Sequence, residues 1–142
     1  MASSGRVSPL RRVIRLVVLA VVAFLGVTYV ALEGNDVATI HTLGENNSWR
    51  TTHVWVADAG DGSLWIEAAT PDRSWLQDLR RTANVEVEHD GRTRRWHAVV
   101  VDDPEAQVHV RELLHEKYGW ADTWVGVLQD TSQSVPVRLD PR

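Results

Sequence analysis

Two short stretches of this 142-residue chain hold the residue types that could seat a flat, negatively charged ligand. The first is Arg50-Thr51-Thr52-His53-Val54-Trp55-Val56, a run that begins with a cation and two hydroxyls. The second is Ala68-Ala69-Thr70-Pro71-Asp72-Arg73-Ser74-Trp75, where small residues at a strand end meet the start of a helix. Small side chains let a flat ring approach the backbone, and the unpaired N–H groups of a first helical turn favour an anion. Arg50 and Arg73 could add charge-assisted hydrogen bonds to a phosphate. Composition alone favours the plainer reading of both stretches, a solvated arginine on a strand and a routine helix cap.

Other chemistries lack their residues. There is no cysteine, hence no disulfide framework and no thiolate nucleophile. No G-x-S-x-G, P-loop or G-x-G-x-x-G is present, and H-E-x-x-H is missing. His109 and His115 sit about 240° apart around a helix, so they do not share a metal-binding face. No metal is expected and no residue is assigned a catalytic role; His53 and His97 are the axial candidates should the ligand be haem.

The elements that must position these residues follow from periodicity. Val37–Leu43 is a β-branched run, followed by a turn at Gly44–Asn47. In the strand Trp49–Asp58, Trp49, Thr51, His53, Trp55 and Ala57 share one face. Asp58–Gly62 is a hairpin loop and Leu64–Ala69 the third strand. Pro71 and Asp72 then open a short helix with Trp75, Leu76 and Leu79 on its apolar side, and Ser74 and Gln77 stand at capping-box spacing. Val85–His89 and Arg92–Asp102 flank Asp90-Gly91, a type I′ turn signal. Asp103 caps a helix with Pro104 in its first position; Ala106, Val110, Leu113 and Leu114 form its stripe, and Gly119 stops it. Trp120 and Trp124, one helical turn apart, predict a further short helix. Ser134–Leu139 is a last strand that Pro136 places at an edge or end. The order β-β-β-α-β-β-α-α-β predicts an α+β domain, an antiparallel split barrel of about six strands with flanking helices.

The N-terminal region differs. Leu16–Leu32 reads LVVLAVVAFLGVTYVAL, uncharged and apolar all round, and extends back to Leu10 if Arg11, Arg12 and Arg15 snorkel to the interface. It is expected to be one transmembrane helix contacting membrane lipid, giving a tail at 1–9, an anchor at 10–33 and the barrel domain at 36–142. The rival reading is a secretory signal peptide, for which the apolar run is long and no clear small-x-small cleavage site follows. The flanking arginines all precede it, so the charge rule puts the N-terminus in the cytoplasm and the domain outside. Of 15 basic and 19 acidic residues, 11 and 18 lie beyond residue 34, a balance of −7 for the domain. So acidic a domain lacks the basic stripe that nucleic acid requires. The seven tryptophans, at 49, 55, 65, 75, 96, 120 and 124, are expected mainly in packing.

Taken in order, R-T-T-x-V-W, the G-x-L-W strand ending in Ala68-Ala69-Thr70, Trp75-x-x-x-Leu79, and the tail Lys117-Tyr118-Gly119-Trp120 through Val135-Pro136-Val137-Arg138-Leu139 resemble the deazaflavin (F420)-dependent nitroreductase/quinone reductase family. That family is a branch of the flavin-binding split barrels related to pyridoxamine-phosphate oxidase. The resemblance covers residues 36–141. It implies an oxidoreductase, which the N-terminal helix would anchor to the membrane, with F420 or alternatively FMN as hydride carrier, and a quinone, nitro or other conjugated acceptor. It matches Arg50 to the family's strand arginine and Thr52, His53, Val54 and Trp55 to the backbone edge near the ring, with Thr51 counted among the candidate cofactor-binding residues. Ala68, Ala69 and Thr70 match the stretch beside the tail, with Arg73 the basic residue left there and Trp75 the helix aromatic. Split barrels of this kind often pair, which implies a homodimer. A cofactor made in the cytoplasm implies a cytoplasmic domain, opposite to the charge rule.

The sequence departs from the family in three places. Gly44-Glu45-Asn46-Asn47-Ser48 replaces a basic glycine turn, His53 stands where a proline is usual, and the Thr70–Trp75 segment is short. An acidic turn is a poor seat for a polyanionic tail. The alternative is therefore a degenerate, non-catalytic membrane-tethered binding module.

Overall fold

The computed structural model describes residues 9–33 and 36–142; the expected tail at 1–9 lies outside the described residues apart from Pro9. Helix α1 (Pro9–Glu33) is followed by β1 (Val37–Leu43), β2 (Trp49–Asp58), β3 (Leu64–Ala68), α2 (Ser74–Arg81), β4 (Asn84–His89) and β5 (Arg92–Val100). Helices α3 (Pro104–Tyr118) and α4 (Trp120–Leu128) precede the last strand, β6 (Val135–Pro141). The six strands close an antiparallel barrel in the order β1-β2-β3-β6-β5-β4. The expected split-barrel architecture is the observed one.

Local chemistry explains the hairpins and helix ends. Asp90 and Gly91 both take positive φ, 52° and 67°, as a type I′ turn requires, and β4 pairs β5 in register from His89↔Arg92 to Asn84↔His97. The Asp103 carboxylate accepts from the Glu105 N–H, and Gly119, at φ 52°, separates α3 from α4. The capping box expected at Ser74 and Gln77 does not form. Arg73 is the N-cap of α2 without a side-chain cap bond, and Gln77 instead donates to the Pro71 carbonyl at 2.7 Å. Three residues of turn between Thr70 and Ser74 leave Ser74 already inside the helix.

Pro136 is not at a sheet edge, because β6 is paired on both sides, with β3 and with β5. Its carbonyl accepts from Val101 N–H at 3.0 Å, one residue past the end of β5. In a strand the N and O of one residue face the same side, so the missing proline N–H falls where β5 has just ended. The proline thus marks an end within a closed barrel.

The inward strand faces supply the main core: Ala38, Ile40, Val54, Val56, Ile66, Val85, Val87, Trp96, Ala98, Val137 and Leu139. Trp75, Leu76 and Leu79 of α2 plug into it, and truncating a fully buried leucine such as Leu76 to alanine costs about 2–5 kcal/mol. A second cluster lies outside the barrel, where Val110, Leu114 and Tyr118 of α3 and Ala121 of α4 cover Ala57 and Trp65. Ala31 of α1 joins it. Most of α1 is otherwise uncovered, and Leu10–Leu32 is long and apolar enough to cross a membrane.

Candidate functional site

Strand β2 is ten residues long and β3 only five, and the two pair over three positions, Val56↔Ile66, Ala57↔Trp65 and Asp58↔Leu64. Past Val56 the ladder stops. Beyond Ala68 the chain leaves the sheet for α2, so the β2 edge from Thr52 to Trp55 has no strand beside it. A cavity of about 330 Å³ opens there.

Backbone direction gives this opening its polarity. The Val56 N–H donates to the Tyr118 hydroxyl at 3.0 Å, and the Val56 carbonyl accepts from Lys117 Nζ at 2.7 Å, both on the β1 side. Successive residues of a strand turn their backbone groups to alternate edges, so those of Trp55 and His53 face the opening. The Trp55 ring is stacked on Tyr118, centroids 4.5 Å apart and planes 15° off parallel. Ala69 and the buried Trp75 form the wall toward α2. The opposite wall is made by Leu32 of α1 with Val125 and Gln129 of α4 and its following turn.

Two arginines reach the opening. Arg73 is exposed and makes no ion pair among the described residues, though its charge acts on the neighbouring Asp72 carboxylate. Arg111 is committed: it donates to Glu67 at 2.8 Å and pairs with the buried Asp122. Burial disfavours its charge, but the hydrogen bond and charge of Glu67 and of Asp122 outweigh that and raise its pKa. Glu67 also accepts from Ser134, so that each of its carboxylate oxygens has a donor.

Of the residues expected at the site, Thr52, His53, Val54, Trp55, Ala69, Arg73 and Trp75 line this opening. The others point elsewhere. Arg50 Nε donates to Asp78 at 2.8 Å, one turn along α2 from Trp75, where Asp78 also accepts from Arg81 and Thr42. The Thr51 hydroxyl is 3.1 Å from His41 Nδ1. Ala68 is buried in the barrel, and the Thr70 hydroxyl donates to Asp72. Sequence reasoning missed Glu67, Arg111, Gln129 and Leu32. The one available signal was Glu67, a carboxylate inside an otherwise apolar strand. Elsewhere, Asp36, His89 and Asp90 approach closely enough to share a cation, but Asp36 is already paired with Lys117 at 2.7 Å and His89 at 2.8 Å.

No family model and no curated protein matches the sequence. Solved structures do match. A conserved hypothetical protein from Mycobacterium tuberculosis is 22% identical, with a TM-score of 0.57 over 82% of this chain and 78% of that one. An F420-H2-dependent reductase is 14% identical, with a TM-score of 0.58 over 74% of this chain and 94% of that one. HutZ, the heme storage protein of Vibrio cholerae, is 13% identical, with a TM-score of 0.58 over 79% of this chain and 85% of that one. At these identities the likeness is one of fold: this chain has the split β-barrel that the three share.

Proposed function

We propose that the opening between β2 and β3 seats a flat conjugated redox ring of the deazaflavin (F420) or flavin (FMN) class, and that the chain is a membrane-anchored reductase. A single observation carries this reading: the β2–β3 ladder ends at Val56, and the strand edge at Trp55 borders an opening between the aromatic wall of Trp75 and the small Ala69. A ring laid against that edge gains hydrogen bonds of the kind an added strand would make. When bound, such a group supplies hydride transfer to a quinone, nitro or other conjugated acceptor.

The residues present fit the ring well and the tail selectively. Val54, Trp55, Trp75 and Ala69 offer apolar faces, and Arg73 stands beside the N-terminal turn of α2 to hold a phosphate. Arg111 adds little net charge because Glu67 and Asp122 already neutralise it. A ligand with one phosphate suits this seat better than one with a long polyanionic tail. On this reading, residues 10–33 anchor the chain in lipid, residues 36–142 form the redox domain, and a lipid-soluble quinone arrives beside Leu32, the last residue of the apolar span.

Titration of the detergent-solubilised full chain with oxidised and reduced F420, FMN and haemin tests the proposal. Binding of either flavin-type ring at micromolar concentration supports it; no binding of either at tens of micromolar overturns it. A second reading, a non-catalytic binding module, is favoured by one observation: Arg50 and Arg111 are both taken up by carboxylates of the protein itself. Haemin binding without flavin binding would favour a haem-binding form of that module, with His53 at the opening as its axial candidate.

A further inference from the structure

Helix α4 carries an apolar face that the barrel does not cover. Its sequence, WADTWVGVL, has a single charged residue, Asp122, and that carboxylate is buried against Arg111 and His115. Ala121 faces the second core cluster. Outward lie Trp120, Val127 and Leu128, which are 57%, 78% and 48% exposed, with Thr123 and Gly126 between them. Positions 120, 123, 124, 127 and 128 follow the spacing of one helical face.

What borders this face identifies its occupant. The Trp124 ring packs on Phe24 of α1, centroids 5.6 Å apart, and its indole N–H donates to the Thr28 hydroxyl at 3.2 Å. Phe24 and Thr28 lie inside the apolar span Leu10–Leu32. Phe24 precedes Leu32 by eight residues, about 12 Å along the helix axis. An element that touches α1 at this depth shares the medium that surrounds α1. A soluble surface helix so placed would present charge outward; α4 presents tryptophan, valine and leucine.

We infer that α4 is a second membrane-contacting element, dipping into the leaflet through which the C-terminal end of α1 emerges. It does not span. Its nine residues reach about 14 Å, too short to cross the hydrocarbon core, and Trp124 meets α1 inside the apolar span. Because Val125 and Gln129 line the β2–β3 opening together with Leu32, this placement turns the opening toward the bilayer, which suits a ligand dissolved in lipid. The inference rests on the membrane anchor of the proposed function and extends it from a tether to a fixed orientation.

The chain has no cysteine, so single labelling sites can be introduced cleanly. Full-length Leu19→Cys, Val127→Cys and Glu45→Cys variants would carry an environment-sensitive fluorophore and be reconstituted into phosphatidylcholine vesicles with and without doxyl-labelled lipid. Leu19 reports the span, Val127 the face of α4, and Glu45 the β1–β2 turn at the other end of β1. The expected result is a blue shift and loss of emission to doxyl lipid at Leu19 and Val127, with Glu45 quenched only by aqueous iodide. Quenching at Leu19 with Val127 behaving like Glu45 would overturn the inference while leaving the anchor intact. No lipid quenching at any site would remove the anchor and the inference together. Quenching at all three sites would also overturn it, since no orientation would then be fixed. A Val127–Val127 cross-link without lipid quenching would assign the face to a second copy of the chain instead.

Discussion

The Tyr118 hydroxyl lies 3.0 Å from the backbone nitrogen of Val56 and 2.6 Å from the carbonyl oxygen of Asp36. It accepts from Val56 and donates to Asp36, inserting into the β1–β2 ladder where β1 begins. The same ring stacks on Trp55. The last residue of α3 therefore holds β2 at the position where its opposite edge opens into the candidate site.

Tyr118→Phe keeps that stack and removes the hydroxyl. It leaves the buried Val56 N–H without its acceptor, which costs about 1–3 kcal/mol. Urea unfolding of the solubilised chain should show that loss at neutral pH. Unchanged stability would mean that a water takes over the position of the hydroxyl.

Asp78 sets an acid limit on stability. It is only 3% exposed, and burial alone would raise its pKa, but hydrogen bonds from Arg50 and Thr42, the Arg50 charge and Arg81 together hold it below the ordinary 3.8. A carboxylate with a depressed folded pKa stabilises fully above its unfolded value and loses that contribution as pH falls through the folded one. The loss should therefore appear below about pH 4. Asp78→Asn is expected to lower stability by about 1–2 kcal/mol at pH 7, since both arginines are partly solvated, and to flatten the acid limb. Thermal melts from pH 2 to 7 would show it; parallel curves for the two proteins would remove Asp78 as the source.

The two arginines of the sequence motifs should separate. Arg73→Ala is expected to weaken binding of a phosphate-bearing ring by about 1.5–3 kcal/mol with little change in folding. Arg50→Ala should do the reverse, lowering stability through Asp78 and leaving affinity close to wild type. Paired titrations and unfolding curves measure both. Equal affinity losses in the two variants would return Arg50 to the site.

The sequence made local structure plain and left the distant partners hidden. The β4–β5 hairpin was legible because Asp90-Gly91 dictates its own turn, and α3 because Asp103, Pro104 and Gly119 mark its ends. The seven residues that do line the opening were reachable because strand alternation and a helix start lie close together in the chain. Arg50 was not, because the carboxylate that claims it is 28 residues away on α2. Glu67 and Arg111, 44 residues apart, meet only when the barrel closes, and Tyr118 and Val56 are separated by 62. Periodicity finds faces; it does not say which charges will neutralise one another. Pro136 misled for a related reason, since a proline reports a missing donor and not whether a neighbouring strand has already ended.

On the anchoring proposed above, the side of the membrane occupied by the barrel decides which ligands can reach it. Arg11, Arg12 and Arg15 precede or enter the start of the span, and after it the next basic residue is Arg50. Basic residues are retained on the cytoplasmic side, and acidic ones contribute little to orientation, so the barrel is predicted outside. The uniform apolarity of residues 16–32 supports crossing over lying flat, which would need one polar face. An outward barrel restricts a cofactor made in the cytoplasm, whereas a quinone dissolved in the bilayer remains accessible from either leaflet. Protease applied to intact cells should remove a C-terminal tag while a cytoplasmic control protein survives. A tag that persists until lysis would place the barrel inside.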